Sequence, residues 1–168
     1  IRALEISEVT EDFNIIQNSK IKEYVYLFSF GKKNHPFCAP FLANILEDLN
    51  IDMMKQAAKL FEGEHYFSAY TARIQENTKS YRKVVSCEIR DNTIIAANFF
   101  PKKSYALHIK SEGFMRYQVR MIMGALIQVG QGELSLKEIS ASLLENSSIQ
   151  MTYVAPGSGL LLNKLEFK

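Results

Sequence analysis

The spacing of apolar and polar residues predicts β-strands that alternate along the chain with helices. Residues 21–30 (IKEYVYLFSF) are rich in aromatic and β-branched side chains, which favours a strand. The same pattern predicts further strands over residues 3–9, 81–90, 105–110 and 160–167. Residues 91–104 are predicted to form a long connection between two of these strands.

Four helices are predicted from apolar periodicity and capping residues. They are a short helix over residues 41–49, a helix from an Asp52 N-cap to Gly63, a buried helix over residues 114–129, and a helix capped by Ser135 with Glu138 completing a capping box. The resulting order of elements predicts an α+β fold, with a mostly antiparallel sheet and helices packed on one face.

Composition indicates an ordinary globular domain. The chain has 168 residues, of which 47% are hydrophobic and 23% charged, and this length suits a single core. No apolar run reaches the ~18 residues of a membrane span, and no signal peptide is visible. The cysteines, Cys38 and Cys87, form no CxxC pattern, which favours reduced thiols in the cytoplasm. His35, His65 and His108 match no metal-binding spacing, so no metal site is expected.

The overall charge does not by itself indicate a nucleic-acid partner. The formal net charge is +2, so an RNA-binding surface would have to come from local clustering. Three basic clusters are present, at residues 32–33, at residues 79–83 and at residues 102–103. Each of them, taken alone, is typical of a solvated surface.

The helix over residues 114–129 carries arginines at neighbouring helical positions. Arg116 and Arg120 lie four residues apart and therefore share a face. Either both lie harmlessly at the exposed end of the helix, or at least one faces an anion, because a buried unpaired arginine is costly. The residues alone leave both interpretations open.

The first strong strand offers a second candidate surface. Lys22, Tyr24 and Tyr26 alternate with other residues and therefore share one face of the strand. A tyrosine ring can stack on a nucleic-acid base. The competing interpretation is a strand whose aromatic residues face the core.

Several segments, in this order, resemble the C-terminal part of the tRNA pseudouridine synthase A family over nearly the whole chain. Residues 19–26 (SKIKEYVY) resemble the motif A-x-x-K-x-Y-x-Y, and residues 63–68 (GEHYFS) resemble G-x-H-D-F-x-S/T. Residues 114–124 (FMRYQVRMIMG) resemble F-L-x-x-Q-V-R-x-M-V-G, and residues 129–132 (VGQG) resemble V-G-x-G. Residues 155–162 (APGSGLLL) resemble A-P-x-x-G-L-x-L. The segments are specific in combination, since they also occur at suitable spacing.

The resemblance implies a fold, a reaction and partners. Residues 1–168 would form a single C-terminal, pseudouridine synthase-like half domain, with the N-terminal domain absent. The full-length protein would be a cytoplasmic homodimer that isomerises uridine to pseudouridine in the anticodon stem-loop of tRNA. The base is flipped out and an aspartate acts on it, without metal or cofactor.

The resemblance also implies roles for particular residues. Tyr24 would stack on the target uracil, and Arg120 would pair with the catalytic aspartate and keep it ionised. Gly159, Leu160 and Leu162 would line the base pocket. The residues expected to contact RNA are Lys22, Arg73, Gln75, Asn77, Lys79 and Arg116. Tyr24 and Arg120 are therefore predicted to face one cleft, with Tyr24 partly exposed and Arg120 meeting solvent or an anion.

The chain departs from the family pattern where catalysis is concerned. The family carries its aspartate in a G-R-T-D-x-G-V-H stretch, and none of Asp12, Asp48, Asp52 and Asp91 has that context. We therefore expect this chain alone to be inactive. The alternatives are a non-catalytic RNA-binding or dimerisation domain derived from the family, and a structural domain in which Arg120 anchors a helix.

Overall fold

A computed structural model describes residues 6–15, 17–72 and 79–167. The strands are β1 (Ser19–Phe30), β2 (Ala43–Ile45), β3 (Gly63–Tyr66), β4 (Tyr81–Asp91), β5 (Tyr105–Ser111) and β6 (Leu160–Phe167). The helices are α1 (Ile51–Lys59), α2 (Gln118–Gln131) and α3 (Leu136–Ser142), and three single 3₁₀ turns lie at Pro36–Cys38, Ser68–Tyr70 and Gly157–Gly159.

All six strands belong to one sheet, in which β1 is the central organising strand. The order is β2-β1-β5-β4-β3, and β6 also pairs with β1. The first part of β1 pairs with β6 and its last residues pair with β2, while its other edge pairs with β5. The β1–β2 pairing is parallel and the other pairings are antiparallel. The predicted α+β fold with a mostly antiparallel sheet is confirmed.

The two faces of the sheet are covered differently. Tyr26 and Phe28 of β1 belong to the main core, together with the buried side chains of the helices. Val25 and Leu27 point the other way, into a smaller cluster that the loops after β1 and β4 cover with Cys38 and other side chains. The alternation of side chains along β1 therefore supplies two hydrophobic layers.

Helix α2 is buried almost all round, as its composition predicts. Gly124 lets it approach the chain closely, because a Cβ at this position would lie 2.1 Å from the carbonyl oxygen of Tyr153. The helix begins at Gln118 rather than at the predicted residue 114. Tyr117 has a left-handed backbone (φ 64°), which ends any helical continuation on its N-terminal side.

Three other sequence predictions are wrong in detail. Residues 41–49 do not form a helix, because residues 43–45 pair with the end of β1 instead. Asn50, not Asp52, caps α1, since its side chain accepts a hydrogen bond from the Met53 amide, and α1 ends before Gly63. Residues 6–9 are not a strand, and residues 3–5 lie outside the described residues. The capping box of Ser135 and Glu138 is confirmed.

Candidate functional site

A cleft of about 430 Å³ opens where β1, the start of α2 and the turn before β6 meet. Its lining consists of Tyr24, Phe114, Met115, Arg116, Tyr117, Gln118, Val119, Arg120, Gly157 and Leu160. Elements distant in sequence thus converge at one place, because β6 pairs beside β1. The prediction that Tyr24 and Arg120 face the same cleft is confirmed.

Tyr24 is partly exposed, whereas Tyr26, two residues further along β1, is fully buried. The rings of Tyr24 and Phe114 pack in a T-shaped arrangement, with the centroids 5.3 Å apart and the planes at 85°. This edge-to-face packing orients the Tyr24 ring without enclosing it. Tyr26 therefore lies wholly in the core, whereas Tyr24 packs against the core with part of its side chain and leaves the rest exposed in the cleft.

Tyr26 supports the floor of the cleft as a neutral phenol. Its hydroxyl donates a hydrogen bond to the carbonyl oxygen of Pro156, at 2.7 Å. Burial raises the pKa of Tyr26, and this effect outweighs the opposing attraction of the Arg120 charge. Tyr26 thereby holds the turn that precedes β6.

Arg120 is half-buried and firmly positioned. Its Nε donates a hydrogen bond to the carbonyl oxygen of Ala155 at 2.7 Å, and the Ala155 amide donates back to the Arg120 carbonyl at 3.1 Å. Its guanidinium also lies 5.1 Å from the centroid of the Tyr117 ring. Among the described residues, no carboxylate lies within 4.0 Å of this guanidinium. In particular, neither Glu64 nor Glu112 pairs with it.

Tyr117 organises the two arginines of the cleft. Its ring lies 5.3 Å from the Arg116 guanidinium and 5.1 Å from that of Arg120. Cation–π attraction to an aromatic ring partly offsets the repulsion between these like charges. Tyr117 is also the one non-glycine residue with positive φ in the described part of the chain. Strained backbone of this kind concentrates at functional sites.

Gln118 has an unsatisfied polar atom in the same region. Its Oε1 accepts a hydrogen bond from the Met115 amide at 2.8 Å, which fixes the orientation of the side-chain amide. The Nε2 group is buried and has no hydrogen-bond partner among the residues that the structure describes. Leaving such a donor unpaired costs stability in a folded protein.

Sequence reasoning had not singled out Phe114, Met115, Tyr117, Gln118 or Gly157 as cleft residues. The nearest signal was the interruption of an apolar helix by two arginines, which marks its N-terminal end as unusual. A left-handed tyrosine has no sequence signature, so Tyr117 could not be identified beforehand. Gly157 lies close to Arg120, since a Cβ there would be 3.7 Å from the guanidinium carbon.

The structure brings together four of the predicted site residues. Tyr24, Arg116, Arg120 and Leu160 line the cleft. Gly159 is buried beside β1, where a Cβ would lie 2.4 Å from the carbonyl oxygen of Leu27. Leu162 pairs with Tyr24 in the sheet but is 54% exposed and does not line the cleft.

Five further residues are predicted to contact RNA, and the structure describes two of them. Lys22 is half-buried on β1 and Lys79 is exposed, and neither lines the cleft. Arg73, Gln75 and Asn77 lie outside the described residues.

None of the chain's four aspartates lines the cleft. Asp12 lies in a turn near the start of the described chain, Asp52 in the first turn of α1, and Asp91 at the end of β4. Asp48 lines a different cleft, beyond the end of β1. The cleft therefore contains a positioned cation and an exposed aromatic ring, but no aspartate to act on a base.

Neither a metal site nor a membrane span emerges from the described residues. Within those ranges, no group of three His, Cys, Asp or Glu side chains is placed to hold a metal ion. His65 instead forms a hydrogen bond between its Nε2 and the carbonyl oxygen of Glu62, at 2.8 Å. In the same ranges, every helix is too short or too polar to cross a bilayer.

Comparison with known proteins gives a consistent result. The sequence model of the tRNA pseudouridine synthase family matches residues 57–168. The chain is 32% identical over 162 residues to tRNA pseudouridine synthase A 2 of Bacillus thuringiensis subsp. konkukian (strain 97-27), covering 96% of this chain and 62% of the relative. It is 31% identical over 169 residues to tRNA pseudouridine synthase A of Onion yellows phytoplasma (strain OY-M), covering 98% and 63%.

A relative from Bacillus sp. (strain KSM-64), also called tRNA pseudouridine synthase A, is 29% identical over 167 residues, which is 99% of this chain and 64% of that protein. The chain thus spans less than two thirds of the length of these relatives. The matched region includes both arginines of the cleft, Arg116 just before α2 and Arg120 within it, and the turn that leads into β6. The chain belongs to the tRNA pseudouridine synthase family.

Proposed function

We propose that residues 1–168 form the C-terminal domain of a tRNA pseudouridine synthase that isomerises uridine to pseudouridine in the anticodon stem-loop of tRNA. The observation that carries this proposal is the shared cleft of Tyr24 and Arg120, in which Arg120 is held in place without a carboxylate partner from the described residues. Family membership supports the reaction class, and we propose that the reaction takes place in this cleft.

Tyr24 receives the flipped uracil. A base stacked on an aromatic ring gains affinity without depending on base identity, so Tyr24 provides a platform and does not read the base. The T-shaped contact with Phe114 holds the Tyr24 ring in place, and Leu160 adds an apolar side chain to the lining of the same cleft. Gly159 contributes indirectly, because the absence of a side chain allows the turn before β6 to lie close to β1.

Arg120 pairs with a catalytic aspartate that comes from outside these 168 residues. Because Nε is already bonded to Ala155, the guanidinium is oriented before the aspartate arrives. A fixed positive charge beside a carboxylate lowers its pKa and keeps it ionised. An ionised aspartate can then attack the base or the sugar, or transfer a proton during cleavage of the glycosidic bond. No metal or cofactor takes part in this proposal.

RNA contacts extend the site beyond the base. Arg116 lies at the exposed side of the cleft, where its charge can meet a phosphate. Lys22, Lys79 and the segment of Arg73, Gln75 and Asn77 are further proposed contacts, carried over from the family pattern. Leu162 lies beside Tyr24 in the sheet but outside the lining of the cleft, so its proposed contact with the substrate rests on the family pattern. We also propose that the protein acts as a cytoplasmic homodimer.

A non-catalytic RNA-binding or dimerisation domain is the second candidate. It is favoured by a single observation, namely that no aspartate lines the cleft. The two candidates differ in whether the complete protein makes pseudouridine. They also differ in whether Arg120 is needed for pseudouridine formation or only for tRNA binding.

The test uses the protein expressed from its complete reading frame, with an unmodified tRNA transcript. Arg120→Met should lower pseudouridine formation by at least about 100-fold, the range expected when a group that supports acid–base or nucleophilic chemistry is removed. Tyr24→Leu should also lower it. Arg90→Met is the matched control, because Arg90 is exposed on β4 and pairs with Glu88.

The tRNA affinity and the thermal stability of each variant are measured in parallel. Retained binding without product would support the catalytic pairing. Full activity of Arg120→Met would refute it. A complete protein that binds tRNA but forms no pseudouridine would favour the non-catalytic candidate.

A further inference from the structure

A second cleft, of about 520 Å³, lies beyond the C-terminal end of β1. It is formed by the loop that follows β1 and by the long connection between β4 and β5. Lys32 and Lys33 come from the first segment, and Lys102 and Lys103 from the second. The basic clusters at residues 32–33 and 102–103 therefore converge on one cavity. In the sequence, each of them is typical of a separate solvated surface.

The charge at this cleft is unbalanced. None of the four lysines forms an ion pair within 4.0 Å in the part of the chain that the structure describes. Asp48 is the sole acidic residue among the described lining residues. Like charges around a concave surface focus a positive potential, which attracts an anionic ligand.

The loop that carries Lys32 and Lys33 is held in place by hydrogen bonds. Asn34 Nδ2 donates to the Ser29 hydroxyl at 2.6 Å, and Asn44 Nδ2 donates to the Lys32 carbonyl at 2.9 Å. Gly31 permits the turn with a φ of +79°, a conformation that side-chain-bearing residues rarely adopt. The lysines are consequently presented from a preformed loop.

The second wall is held in a similar way. Asn92 Nδ2 donates to the Ser104 hydroxyl at 3.0 Å, which closes the base of the connection that carries Lys102 and Lys103. Cys38 Sγ lies 3.0 Å from the carbonyl oxygen of Phe99 and links the two walls. Both halves of the cleft thus have defined positions before any ligand binds, which lowers the cost of binding.

Aromatic rings stand at the rim beside these charges. Phe37 is 67% exposed, and its ring contacts those of His35 and Phe99, with centroids 5.0 and 6.0 Å apart. His35 and Phe99 themselves line the cleft. Exposed aromatic rings next to lysines are the combination that binds unpaired nucleotides, through base stacking and phosphate contacts.

The position of the cleft relates it to the candidate active site. Tyr24 and Phe30 lie on the same face of β1, since both pack against the main core. They are six positions apart along the strand, which corresponds to about 20 Å. A single nucleoside cannot reach both clefts, whereas a folded RNA can.

We propose that this lysine cleft binds the RNA backbone of the tRNA substrate at a phosphate remote from the target uridine, with a neighbouring base stacked on Phe37. The inference rests on the proposed function for the identity of the RNA. The lysines contribute affinity and register and take no part in the chemistry, because phosphate contacts position an RNA without reading its sequence.

The test measures binding of an unmodified tRNA transcript to the 168-residue chain over a series of salt concentrations. Two double variants, Lys32→Gln/Lys33→Gln and Lys102→Gln/Lys103→Gln, are compared with Lys55→Gln/Lys137→Gln. The control removes the same charge from exposed positions of α1 and α3. Each cleft variant should weaken binding about five- to tenfold and reduce the salt slope by roughly one for each phosphate that is no longer neutralised.

Phe37→Ala provides an independent arm. It should weaken tRNA binding several-fold without changing the salt slope, because stacking is not an ionic interaction. Inorganic phosphate and a poly-glutamate peptide serve as competitors. Equal competition by the peptide, together with normal binding by Phe37→Ala, would mean that the cleft recognises an acidic protein segment, and the RNA proposal would be wrong.

The outcomes separate this proposal from the proposed function. If the cleft variants bind tRNA like the control while Arg120→Met abolishes pseudouridine formation, the lysine cleft is overturned and the function stands. If the cleft variants weaken binding but the complete protein makes no pseudouridine, the cleft stands and the catalytic function fails. If the unaltered chain binds no RNA, the lysine cleft is overturned.

Discussion

Individual side chains at the cleft have structural contacts that are compatible with their proposed functional roles. Arg120 anchors the turn before β6 through Ala155, and this same bond orients its guanidinium towards the cleft. The suggestion that Arg120 anchors the fold is therefore compatible with its proposed pairing to an aspartate. Tyr117 adopts a strained backbone so that its ring meets both arginines. Both positions are therefore fixed by contacts within this chain.

Gly159 provides a test at the residue scale, because the turn before β6 comes very close to β1 at this glycine. Replacement by alanine would place a Cβ 2.4 Å from the Leu27 carbonyl oxygen and 2.9 Å from the Tyr26 ring. We expect the free energy of unfolding to fall by about 1–3 kcal/mol, the usual cost of overpacking, as measured by urea denaturation.

Gly113→Ala is the control for this measurement. An added Cβ at Gly113 has no neighbour within 4 Å, so we expect a change of about 0.5 kcal/mol or less. Unaltered stability of Gly159→Ala would show that the turn before β6 does not pack tightly against β1.

Among the elements, β1 links both faces of the sheet and both clefts. Its even-numbered residues from Tyr24 onwards face the main core, and Val25 and Leu27 face the smaller cluster. Glu23 is 8% exposed, and its carboxylate lies 3.0 Å from His108 Nδ1 and 3.9 Å from Lys110 Nζ. This buried cluster joins β1 to β5 by charge as well as by backbone hydrogen bonds.

The pairing of Glu23 predicts a pH dependence of stability. Burial opposes ionisation of Glu23, but hydrogen bonds from His108 and Asn163 and attraction to Lys110 outweigh it, so the pKa lies below its ordinary value of 4.5. Because the folded pKa is lowered, Glu23 stabilises the fold above pH 4.5, and this contribution disappears as the pH falls through the folded value.

Glu23→Gln should therefore flatten the decline in stability below pH 4.5, relative to the unaltered chain, in chemical unfolding at a series of pH values. Glu11→Gln, at an exposed position outside the sheet, serves as the control. Parallel stability curves for Glu23→Gln and the unaltered chain would contradict the proposed coupling across β1 and β5.

Most elements were predictable from sequence, and the failures have physical causes. The strands with aromatic and β-branched runs and the capped helix α3 follow from local preferences alone. Residues 43–45 become a strand only because the end of β1 offers an edge, and this is tertiary information. The start of α2 depends on the left-handed Tyr117, which apolar periodicity does not reveal. Asn50 and Asp52 are both good N-caps, so composition could not choose between them.

The whole molecule brings together residues that are remote in sequence. The family pattern correctly predicted that Tyr24 and Arg120 face one cleft, although the stacking and pairing roles remain proposals. The convergence of the four lysines beyond β1 could not be predicted, because it depends on how two long loops pack together. Relatives of this chain are also longer, with 62% of the Bacillus thuringiensis protein matched.

At this scale, the 168-residue chain by itself is predicted to form no pseudouridine above background in a tRNA transcript, because no aspartate lines its cleft. The assay is product detection after extended incubation, with the protein from the complete reading frame as the positive control. Clear product from the 168-residue chain would assign the chemistry to Asp12, Asp48, Asp52 or Asp91.

We propose that Arg120 pairs with an aspartate supplied from outside these residues. The most direct measurement is the distance from the Arg120 guanidinium to the nearest carboxylate, in a crystal structure of the protein expressed from its complete reading frame. We predict that an aspartate of a G-R-T-D stretch lies within about 4 Å of Arg120, which is the separation that defines an ion pair. This aspartate should face Tyr24 across the cleft. A glutamate or aspartate of the present 168 residues in that place, or no carboxylate at all, would contradict the account.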